Sequence, residues 1–263
     1  MKTLMLRIFR IRYSCLASTA LVLSFISATS VAESTYPTTC AIAQYELLSA
    51  YHELSNSPKD KKLKQNVSTI KKTLSECIQS IGGRLNTDIA NNLKAANAGM
   101  NSELDFNLNA IEKTGAGQGQ SVSNMVNHAL ETTRILGKQK SGLNSSAISI
   151  RMLAVQAAYL KNRYLERIYS LGGEANRETS AEPSIEKIVV DFSENLDVLR
   201  KDQSLIAKPE IKNKLNGVYV RFNFLRKSIL NYNNTAVPFV VAHHSSLIIK
   251  SLLEIAEAAE INM

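Results

Sequence analysis

The chain has 263 residues, 31 Lys and Arg against 23 Asp and Glu, no Trp, five Pro and eleven Gly. So few breakers, together with long tracts rich in Ala, Leu, Lys, Glu and Asn, exclude a β-sandwich with a turn every ten residues and point to an all-α fold. The net charge of +8 does not mark a nucleic-acid binder, because the bases are spread along the sequence without a dense run.

The first residues carry Lys2, Arg7, Arg10 and Arg12 and no acid, followed by an apolar stretch from Cys15 to about Ala28 and then the small residues Ser30 and Ala32. This is the pattern of a secretory signal peptide over residues 1–32, cut after Ala32, and it predicts a periplasmic location. The apolar stretch is shorter than the about 20 residues a bilayer core demands. Cleavage leaves 27 bases and 23 acids, a net of +4. Further on, the most apolar stretch, 238–261, is interrupted by His243, His244, Lys250 and Glu254, so no membrane span is expected in the mature chain.

Apolar residues then recur at three and four spacing in eight segments. The first four stripes are Ile42, Tyr45 and Leu48; Leu63, Val67, Ile70, Leu74 and Ile81; Ile89, Leu93, Ala96, Met100 and Leu104; and Val122, Val126, Ala129 and Thr133. Between the last two of these, 115–120 is rich in glycine but lacks the Lys of a phosphate loop, and it reads as a flexible connection. The fifth stripe runs Ile150, Leu153, Ala157, Leu160, Tyr164, Ile168 and Leu171 and stops at Gly172 and Gly173. Ile185 to Leu199 follows Pro183, Ile211 to Ile229 follows Pro209, and Val237 to Ala259 has Pro238 in its first turn.

Four helices joined by short connections describe an up-down-up-down bundle, and two sets suggest a duplication. The expected architecture is therefore two tandem antiparallel four-helix bundles, 33–139 and 140–263. The short join near Ser141 and Gly142 leaves open whether the fourth and fifth helices run on as one. An antiparallel first hairpin brings Cys40, at the start of helix one, to Cys77, near the end of helix two. In an oxidising compartment the pair predicts a structural disulfide contributing about 3 to 4 kcal/mol.

The fifth helix has a second apolar stripe, Ile148, Met152, Val155 and Tyr159, opposite the first, with Arg151 at its border. A surface helix needs one apolar face, so the second implies a partner: the neighbouring bundle or another copy of the chain.

The segment 146–160, with Arg151, Met152, Leu153, Gln156, Tyr159 and Leu160, resembles the opening helix of the PilJ-type domain. That domain is the N-terminal region of type IV pili methyl-accepting chemotaxis transducers and is related to nitrate and nitrite sensor regions. The segment 238–247 is similar to the family's last helix, so the resemblance spans about 143–261, with 33–139 as a degenerate copy. Ile150 stands where the family usually has Gln, and Ala157 where a second Arg is common. The resemblance implies a stand-alone ligand-sensing module, with Arg151, Met152 and Gln156 binding a small anion such as nitrate or nitrite at a two-fold interface. A guanidinium offers forked donors to such a planar oxyanion. Lacking an output domain, the module would act through a membrane receptor or a homodimer partner. The alternative is a periplasmic, pilus-associated scaffold with no small ligand. No catalytic constellation, cofactor motif or metal-ligand spacing is apparent: His243 and His244 point about 100 degrees apart on a helix, and His52 and His128 are isolated.

Overall fold

The computed structural model describes residues 37–138, 145–169 and 183–260. The leader, the boundary at 139/140, Leu171 and the Gly172-Gly173 stop lie outside the described residues. Every regular element among the described residues is helical, and no strand occurs among them. In chain order these are α1 (Pro37–Asn56), α2 (Lys61–Gly82), α3 (Thr87–Thr114), α4 (Gly119–Gly137), α5 (Ser145–Tyr169), α6 (Ile185–Lys201), α7 (Gln203–Ile206), α8 (Pro209–Leu230) and α9 (Pro238–Glu260).

Local chemistry sets these limits. Asp60 starts α2 by accepting from the amides of Lys62 and Leu63, Asn86 starts α3 by accepting from Ile89, and Ser184 starts α6 by accepting from Lys187. Pro209 occupies the first turn of α8, where its missing N–H costs nothing. The one-turn helix α7 has no counterpart in the eight apolar stripes. Asp202 nucleates it by capping Ser204, and a single apolar residue, Leu205, anchors it in the core. An element with one buried residue leaves no periodic trace.

The glycine-rich connection 115–120 is a fitted turn rather than a flexible link. Gly115 ends α3 at φ 79°, a conformation open to glycine. A Cβ on Gly117 would collide with the Tyr51 hydroxyl, and Asn107 fixes the turn by accepting from the Gln118 amide at 2.8 Å.

The predicted stripes form the core. Leu74, Leu93, Met100, Leu104, Phe192, Phe222 and Leu252 are all essentially inaccessible, whereas Ile168, Ile70 and Leu63 are half-buried at the edges. α1 packs on α2 and α4, and α3 on both of those helices' other flanks; α5 packs on α6 and α9, and α8 lies against α6 and α9. Cys40 and Cys77 are bonded, with their Cα atoms 5.6 Å apart at a sequence separation of 37, which fixes α1 and α2 as an antiparallel hairpin. α9 is long and apolar enough, by length and composition alone, to cross a membrane despite His243, His244, Lys250 and Glu254. Its three-four stripe through Val241, Ile248, Leu252, Ile255 and Ala259 is spent on the core against α5 and α8.

Candidate functional site

α5 is the most enclosed helix of the second half, because it meets α6 and α9 on one side and α1 on the other. Its second apolar stripe is thus covered within the chain. Tyr159 stacks at a tilt on Tyr45 of α1 with ring centres 5.1 Å apart, and Val155 is buried, leaving Met152 41% exposed at the end of the stripe.

Charged groups line the α1–α5 seam. The Lys161 ammonium, almost fully buried, donates to Glu46 Oε2 at 2.7 Å and to Ser246 Oγ of α9 at 3.1 Å, so one cation ties three helices. Burial raises the carboxyl of Glu53 above the ordinary range, the Lys161 charge working against that and Glu46 adding to it. Since Tyr45 meets Tyr159, Glu46 meets Lys161 and, further along both helices, Glu53 lies close enough to Tyr169 to act on its hydroxyl, α1 and α5 run side by side in the same direction.

The three residues expected to bind an anion do not converge. Arg151 is 4% exposed; its Nε donates to Glu260 Oε1 at 3.0 Å and its Nη2 lies 2.9 Å from the same oxygen. Glu260 stands in the last described turn of α9, where the backbone carbonyls also favour a cation. Gln156 turns toward α6 and accepts from Asn195 at 3.1 Å. Met152 faces outward. Helix geometry separates Arg151, about 100 to 140 degrees around α5 from Met152 and Gln156, which share a face one turn apart.

The α8–α9 hairpin carries a feature that the core stripes did not reveal. Val220 and Phe224, one turn apart, are 67% and 59% exposed, and Phe239 at the start of α9 is 77% exposed. Phe239 stacks on His243, His243 meets His244 edge-on, and His244 meets Phe224 with centres 5.3 Å apart, making one continuous aromatic run across both helices. Beside it lies a groove of about 610 Å³ lined by Asn216, Gly217, Val220, Arg221, Phe224 and His244. Burial, His243 and Arg221 together hold the His244 imidazole below its ordinary pKa. The signal available in sequence was that Val220 and Phe224 fall off the Ile211–Ile229 stripe, on a face that a single-sided helix would keep polar.

Among the described residues no group of three or more His, Cys, Asp or Glu is placed to hold a metal ion. Compared with protein-family models, curated proteins and solved structures, the chain matches none.

Proposed function

We propose that this chain is an exported helical scaffold: two tandem antiparallel four-helix bundles that act by holding a partner protein, without chemistry of their own and without a small-molecule ligand. Closure of α1 to α4 and of α5, α6, α8 and α9, each helix on two neighbours, supports the two-bundle description. The basic and apolar leader and a disulfide sealed in the core support an oxidising, periplasmic setting.

The observation that carries the scaffold reading is the Arg151–Glu260 pair. A guanidinium buried against a carboxylate of its own chain is already neutralised, and an incoming oxyanion must displace that carboxylate before it gains anything. The second reading, the anion sensor, keeps one observation in its favour: Glu260 presents to Arg151 the same planar oxygens that nitrate or nitrite would.

Thermal unfolding with nitrate and nitrite separates the two. A ligand present at 100 times its dissociation constant adds about 2.7 kcal/mol. The scaffold reading expects no anion to shift the wild type or Glu260→Gln. A shift in either that disappears with Arg151→Ala establishes the sensor instead. N-terminal sequencing of the periplasmic fraction, expected to begin at Glu33, tests export.

A further inference from the structure

Between Glu210 and Glu254 the chain contains no Asp or Glu, while Lys212, Lys214, Arg221, Arg226, Lys227 and Lys250 all fall in that interval. The interval is the α8–α9 hairpin, the part of the molecule that exposes Val220, Phe224 and Phe239. The interval from Glu131 to Glu166 is likewise free of acids, but the adjacent α6 contains Glu186, Asp191, Glu194 and Asp197. Lys214 pairs with Glu210 and Glu254, and Lys250 with Glu254, which leaves Lys212, Arg221, Arg226 and Lys227 as the bases near an apolar, aromatic surface with a shallow groove in it.

We infer that the groove along α8, beside His244 of α9, is the docking site for an acidic amphipathic helix of a partner protein. Its apolar anchors would lie against Val220 and Phe224 and its carboxylates would face Arg221 and the bases of the hairpin. This rests on the scaffold reading and deepens it by naming the partner's chemistry. Charge complementarity selects acid over base: the groove lining includes Arg221 and no carboxylate. Shape selects a protein over a lipid surface. A helix laid in a trough inserts side chains at positions i, i+3, i+4 and i+7, and Gly217 leaves the trough open because it contributes no side chain. A bilayer gains nothing from a concavity. The same Gly217 has no atom within 4 Å of where a Cβ would stand, so the trough can be filled without disturbing the core.

The test measures fluorescence anisotropy of two synthetic helices of about five turns on the full chain. Both share one Leu and Phe face; one carries Glu on its flanks and its twin carries Lys. The Glu peptide is expected to bind at least about tenfold tighter than the Lys twin and to weaken as salt rises from about 0.05 M to about 0.5 M. Gly217→Leu, a favourable change in a helix interior, is expected to weaken it about tenfold or more with no fall in melting temperature, and Val220→Ser to weaken it as well. Equal affinity for the two peptides, or binding that Gly217→Leu leaves unchanged, overturns the proposal. So does a preference for phosphatidylethanolamine vesicles holding about 30% phosphatidylglycerol that survives Gly217→Leu, or sedimentation showing that a second copy of the chain occupies this face. A failure here with no anion shift in the melting experiment removes the docking site alone. An anion shift removes the scaffold reading itself.

Discussion

The two halves of the molecule use the same helices to different ends. In α1 to α4 specific bonds tie the helices: Glu103 takes Ser121 and Asn124, Asn107 holds the following turn, and Cys40 is bonded to Cys77. In α5 to α9 the core packs Phe192 on Phe222 at 4.4 Å and also buries Arg151, Lys161, Asn162 and Glu166, while α8 beyond Glu210 and the start of α9 expose apolar side chains and carry no acid. The difference separates a half stabilised by specific bonds from a half with surface to spare. A surface contact can be given up at little cost only where burial already holds the helices together.

The sharpest way to break this contrast is covalent. Cys77→Ser should cost about 4 kcal/mol, the loop-closure value for a bridge spanning 37 residues, and hydrogen exchange should accelerate in α1 and α2 before α8 and α9. Chemical denaturation should assign Arg151→Ala a loss of about 2 kcal/mol. Removing a nearly buried cation strands Glu260, but that carboxylate retains 19% exposure and partial access to water. Gly117→Ala should cost about 1 to 2 kcal/mol, because the Tyr51 hydroxyl is itself buried and has little room to retreat.

The pH dependence of the seam between the halves gives a finer measurement. Burial raises Glu53, so the folded state holds that proton to higher pH than the unfolded chain does. Stability attributable to Glu53 therefore falls as pH climbs from the ordinary glutamate range through the raised folded value. Glu53→Gln should melt higher than wild type at neutral pH, and the gap should close in acid. At the small end, Val220→Ser should change stability by no more than about 0.5 kcal/mol, as expected of an outward residue that serves contact instead of packing.

Much of the helix layout was legible because each stripe buries one face, and periodicity reports burial directly. The Cys40–Cys77 pairing was legible for the same reason: two antiparallel stripes place the ends together. What periodicity hides is anything with one anchor or with a partner distant in sequence. Leu205 alone could not announce α7. Nothing local to Arg151 pointed to Glu260, which lies 109 residues away. The second stripe of α5 correctly announced a second partner without naming it, since both α1 and a foreign chain would demand the same apolar pattern. For 115–120 composition misled: glycines needed for one fixed φ and one close approach look like glycines of a loose tether.

The single Lys161 ammonium shared by α1, α5 and α9 has a mechanical corollary. Because α1 and α5 belong to one polypeptide, their meeting does not depend on concentration, and dilution cannot part them. A load applied to α9 reaches both halves through this ammonium and through the packing of α9 on α5 and of α5 on α1, so a body gripping the far hairpin pulls on the whole molecule at once.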